Sequence, residues 1–141
     1  MSVIQGDADN DLSLYPDLSF DCVILSQTIQ ATNSPKNILK ELVRIGKKAI
    51  VSIPNFGYWQ VRLGFAAFGK MPITKKLSNN WYDTPNIHLC SILDFVDLCS
   101  ELNIKIDKTI VLSSKSTKSF NGIPNKLSNF FGEEAIFLIK N

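Results

Sequence analysis

The side chains best placed to do chemistry in this chain follow short apolar runs. Asp7 follows Val3-Ile4, Ser26 and Gln27 close the run FDCVIL, and Asn55 comes one residue after AIVSI. If those runs are parallel strands, their carboxyl ends are where open α/β sheets receive ligands. There Asp7 could accept a hydrogen bond from an exocyclic amine such as that of adenine, with the backbone amide of Ala8 pairing to the adjacent ring nitrogen. The competing reading is that Asp7 bonds its own backbone in a turn. His88 is the sole histidine. It is either a site residue or a side chain hydrogen-bonded at the start of a helix.

Familiar catalytic signatures are missing. The chain has no G-x-S-x-G elbow, no G-x-x-x-x-G-K-[ST] loop and no G-x-G-x-x-G fingerprint. Cys22, Cys90 and Cys99 are odd in number and lack a C-x-x-C pair, so neither a disulfide framework nor a metal site is expected. Cys22 and Cys99 read as small core residues.

The most unusual stretch is IPNFGYWQVRLGFAAFGKMP. Phe56, Tyr58, Trp59, Phe65 and Phe68 crowd it, and Trp81-Tyr82 follow. Two readings compete: a cover helix buried between sheet and loop, or a binding face, since aromatics and Arg (here Arg62) anchor interfaces.

These residues need elements to hold them. Phe20 to Ser26 is an unbroken apolar run, suited to a strand covered on both faces. Asn33-Ser34-Pro35 opens a helix, with Ser34 able to cap it and Pro35 at its first position. Ile38, Leu39, Leu42 and Val43 form its apolar stripe, and Gly46 is expected to end it in the left-handed conformation. Ala49 to Ile53 reads as a second strand, so strand, helix and strand form a right-handed crossover. A helix over 58–68 ends at Gly69, and the segment up to Cys90 is irregular. Ser91 starts another helix, with Asp94 completing a capping-box variant. Ile104 to Leu112 and Ala135 to Ile139 are strands paired as an antiparallel hairpin, with a polar loop over 113–129 between them. The resulting class is α/β, a mostly parallel sheet closed by a C-terminal antiparallel hairpin, in one domain over 1–141.

Apolar and charged fractions of 45% and 20% are those of an ordinary globular protein and exclude a disordered chain. No apolar run reaches the ~20 residues that cross a bilayer, and the aspartate-rich start is unlike a targeting segment, so a cytoplasmic location and no membrane partner are expected. Basic residues dominate from Lys36 to Lys76, against Glu41 alone. They fall on several different elements, so no nucleic-acid partner is expected.

Three stretches carry a family resemblance: YPDLSFDCVILSQTIQATNSP, IVSIPNFGYWQVRLGFAAFGKMPITKKL and NNWYDTPNIHLCSILDF. With PNFGYW, GKMP and WYDTPNIH in this order, the chain from about Val3 to its C-terminus resembles the methionine biosynthesis family MetW. The resemblance implies a class I, Rossmann-like methyltransferase fold that uses S-adenosylmethionine. It also implies a role beside the homoserine O-acyltransferase MetX, whose activity MetW proteins support. It assigns Asp7 and Ala8 to the adenine and Ser26 and Gln27 to the wall of the cofactor pocket. Asn55, Phe56, Tyr58, Trp59, Arg62, Trp81, Tyr82 and His88 are the candidate partner or substrate surface. Family members carry two further strands and a G-x-G loop ahead of this stretch. The expectation is therefore a partial sheet lacking its first two strands, the C-terminal portion of such a domain. Alone it should bind the cofactor weakly and be inactive. The alternatives are a true methyltransferase of a small substrate in the full-length form, or a non-functional fragment.

Overall fold

The computed structural model describes residues 6–71, 73–74 and 76–141. The expected strand at Val3-Ile4 lies outside them.

The first strand, β1 (Val23–Ser26), is shorter than the apolar run that contains it. Phe20 makes only an isolated bridge to Gly46. Helix α1 (Pro35–Ile45) follows, burying Ile38, Leu39, Leu42, Val43 and Ile45. Strand β2 (Ala49–Pro54) then runs parallel to β1, pairing Val23 with Ala49 and Ser26 with Ser52. The expected order of strand, helix and parallel strand is present. After β2 come α2 (Trp59–Phe68) and α3 (Ile92–Glu101), then β3 (Lys105–Ser113), β4 (Ser116–Phe120), α4 (Lys126–Phe131) and β5 (Glu134–Lys140).

The sheet order is β1-β2-β5-β3-β4. The last strand in sequence enters between β2 and β3, antiparallel to both. Strands β1, β2 and β3 therefore share a direction, and β5 and β4 oppose it. The expected antiparallel pair of β3 and β5 is present. One face of the sheet carries Val51, Ile53, Phe137, Ile139 and Val111 into the core with Leu39, Leu42, Ile92, Phe95 and Cys99 from the helices. Phe95 stacks on Phe137 with ring centroids 4.4 Å apart.

Three local expectations are corrected. The 113–129 stretch is not a plain loop: β4 pairs with β3 from Thr109↔Phe120 to Ser113↔Ser116, and α4 starts on an Asn125 cap. Strand β4 (STKSF) is an edge strand exposed along nearly its whole length, so it lacks the apolar alternation that marks a half-buried strand. Gly46 ends α1 in extended backbone, φ −111°. Glycine is needed there because a Cβ would come within 2.7 Å of Val23 Cγ2, a space requirement and not a conformational one. Ser34 occupies the cap position of α1 but makes no side-chain cap bond. Asp9 instead holds the chain leading into the helix, its carboxylate accepting from the amides of Asn33 and Ser34 at 2.9–3.2 Å. An anion at a helix N-terminus is favourable for the same reason.

Candidate functional site

The carboxyl ends of β1 and β2 carry a compact polar cluster. Ser26 Oγ and Ser52 Oγ lie 3.3 Å apart on one face of the sheet. Gln27 leaves β1 with φ +50°, a conformation costly for a residue with a side chain. It is held there because its amide N–H donates to both the carbonyl and the hydroxyl of Ser52. Its side-chain amide donates to Glu134 Oε1 at 2.8 Å. The other oxygen of Glu134 meets Lys76 Nζ at 2.5 Å. Glu134 opens β5, and because β5 runs antiparallel its start lies at the ends of β1 and β2. Sequence reasoning reached Ser26 and Gln27 but missed Glu134, Lys76 and Ser52. The available signal was a charged residue at the edge of the apolar run EAIFLI.

Asp7 sits in an exposed turn. Its carboxylate accepts from the Asp9 amide at 3.0 Å and from Asn10 Nδ2 at 2.7 Å, as the turn reading anticipates. A carboxylate has about four acceptor sites, so capacity for an exocyclic amine remains. Ala8 is half-buried and packs against the main core. Ser26 and Gln27 have their polar groups committed to Ser52 and Glu134. The fit of these four residues to S-adenosylmethionine thus rests on Asp7 and Ala8.

The second region is built on Asn55, which is 1% exposed. Its Nδ2 donates to the carbonyls of Asn129 and Gly132, and its Oδ1 accepts from the amides of Gly57 and Ile92. One side chain so ties the end of β2 to the start of α3 and the end of α4. Asn55 cannot present a contact surface, and neither can Tyr58, which is 6% exposed and packs with Val61 and Leu77. Both were expected on the surface. They are buried because they are the frame on which the aromatic segment stands.

What that frame displays is apolar. Only Val61 of α2 is buried, so α2 is not the buried cover helix. Leu63, Phe65 and Phe68 are exposed, with Trp81, Tyr82, Phe130 and Phe131 also exposed elsewhere on the chain. Arg62 donates to the Gly57 carbonyl at 2.6 Å and lies 5.7 Å from the Phe130 ring centroid. Phe56, Lys76, Leu77 and Trp81 line a cavity of about 310 Å³, and Trp59 is half-buried beside it. His88 is exposed, its backbone amide donating to the Gln30 carbonyl. It lines a separate apolar cleft with Ile29, Pro35 and Phe95.

Burial pushes the Cys99 thiol up to about 12. Cys90 is raised for the same reason, partly offset by the hydrogen bond from Gln30. Cys22 is half-buried and not a core residue proper. Among the described residues no cluster of His, Cys, Asp and Glu could hold a metal, and no helix is long and apolar enough to cross a membrane.

Comparison with known proteins agrees with the fold. The chain is similar over 98% of its length to a SAM-dependent methyltransferase from Thermotoga maritima, a possible histamine N-methyltransferase, with a TM-score of 0.62 and 20% identity. A SAM-dependent methyltransferase from Archaeoglobus fulgidus gives 0.59 at 13% identity. The chain spans 63% and 66% of those two proteins. At such identities the likeness is one of fold. In sequence, 111 residues are 36% identical to the bifunctional methionine biosynthesis protein MetXA/MetW of Rhodopirellula baltica, covering 78% of this chain and 18% of that protein. The model of the family described as methionine biosynthesis protein MetW matches residues 1–139. With its methyltransferase-like sheet and its PNFGYW frame, the chain belongs to the MetW family.

Proposed function

We propose that this chain acts in methionine biosynthesis by binding a MetX-type homoserine O-acyltransferase and supporting its activity. The observation that carries the reading is the Rhodopirellula baltica relative, whose name joins MetXA and MetW in one polypeptide. Linking two modules raises their effective concentration without a new contact, which favours pairs that work while touching. The exposed Phe65 and Phe68, three residues apart and so on one face of α2, suit such a contact, with Phe56, Trp59, Arg62, Trp81, Tyr82 and His88 as further surface candidates.

The test is a binding titration of the purified chain against the acyltransferase. Phe65→Asp and Phe68→Asp should each weaken binding about tenfold or more, about 1.4 kcal/mol, while leaving the fold intact. Unchanged affinity in both would move the contact elsewhere.

A second reading, a SAM-dependent methyltransferase, is favoured by the fold neighbours. In it Asp7 and Ala8 would hold the adenine edge, and Ser26 and Gln27 would wall the pocket. The cofactor, when bound, supplies an electrophilic methyl group. Catalysis would then rest on alignment of the acceptor.

A further inference from the structure

Glu134 is a carboxylate with two partners and almost no water: its side chain is 7% exposed. One partner, Gln27, belongs to the sheet and pays for its position with a left-handed backbone. The other, Lys76, comes from the irregular segment between α2 and α3, and its side chain is 41% exposed. Ser52 pairs with Ile136, two residues along β5 from Glu134. The Ser26 and Ser52 hydroxyls therefore stand on the same sheet face as the carboxylate. All of this lies at the carboxyl ends of β1 and β2, where open α/β sheets bind ligands.

We propose that Glu134 binds the primary ammonium group of a small molecule, and that Lys76 is the resident cation which that ligand displaces. A buried carboxylate must keep a cation, since losing one partner of such a pair leaves an uncompensated buried charge. An ammonium carries three donors, and Glu134 offers it the carboxylate oxygen that Lys76 now holds. Lys76 holds the same chemical group on a flexible four-carbon stem. Exchange therefore conserves charge: one ammonium moves to water, where its side chain is already partly exposed, and another arrives. Lys76 also lines the 310 Å³ cavity walled by Phe56, Leu77 and Trp81. Lys76 thus links the Glu134 carboxylate to an apolar wall, and the cavity lies at the lower end of the size range of ligand pockets.

The experiment is chemical rescue. Thermal midpoints of the wild type, Lys76→Met and Glu134→Gln are followed against propylamine at neutral pH, with tetramethylammonium as the cation that lacks N–H donors. Lys76→Met should melt below the wild type and recover as propylamine is added, by ligand linkage. Its propylamine affinity should be about tenfold tighter than that of the wild type, whose resident lysine competes. Glu134→Gln should not respond. Recovery by tetramethylammonium to the same extent, a response that survives in Glu134→Gln, or no recovery in Lys76→Met would each overturn the proposal. If Lys76→Met does not fold, the side-chain amide resonance of Gln27 in the wild type becomes the readout. A saturable shift with propylamine supports the site, and no shift overturns it.

Discussion

Gln27 and Glu134 are 107 residues apart in sequence and 2.8 Å apart in space. Their hydrogen bond joins the end of β1 to the start of β5 across the intervening β2. It joins the carboxyl ends of β1 and β2 to the start of β5 in one polar cluster.

The left-handed backbone of Gln27 gives that bond a measurable cost. Gln27→Ile loses the amide donor and places a β-branched residue at φ +50°. It should lower unfolding free energy by about 1–3 kcal/mol in urea denaturation. Gln27→Gly relieves the strain while losing the same bond, so it should be less damaging than Ile. Equal losses would mean that the strain term is absent.

Asn55 makes four hydrogen bonds from a fully buried position. Asn55→Ala leaves two amides and two carbonyls to find other partners, and should cost about 3 kcal/mol. Asn55→Asp should be no better, because its second oxygen would face the carbonyls of Asn129 and Gly132. A loss under about 1 kcal/mol for Ala would contradict the role assigned to this side chain.

Burial of Cys99 predicts its chemistry. At pH 8 a thiol reagent should titrate Cys22 quickly and Cys90 slowly, and should leave Cys99 untouched until the protein unfolds. The sign for stability follows from the raised folded value. Below the ordinary thiol value of about 8.5 the contribution is fully present, and it is lost as pH rises from there toward about 12. Cys99→Ala should flatten that alkaline loss. If the wild type and Cys99→Ala lose stability in parallel above pH 9, another group is responsible.

Much of the frame was legible in sequence because its signals are local. The α3 start is one case: Ser91 and Asp94 form a complete capping box, and both partners lie within one turn. The apolar stripe of α1 is another. Strand β4 was not legible because Ser116, Thr117, Lys118 and Ser119 are all exposed, and their pairing with β3 gives no alternation to read. The reason for Gly46 depends on Val23, a residue brought near only by the crossover. In the candidate site, strand-end logic found Ser26 and Gln27. Glu134 and Lys76 escaped it because their pairing joins a strand start to an irregular segment 58 residues earlier, and only the antiparallel insertion of β5 brings the carboxylate to that end of the sheet.

The proposed role of this MetW-family chain is to support an acyltransferase by touching it. The most direct measurement is the homoserine O-acylation rate of a purified MetX-type enzyme, with and without stoichiometric amounts of the chain. A higher rate is expected with the wild-type chain, and a return to the enzyme-alone rate with Phe65→Asp and Phe68→Asp combined. An unchanged rate with wild-type chain, under conditions where the two proteins are shown to bind, would contradict it.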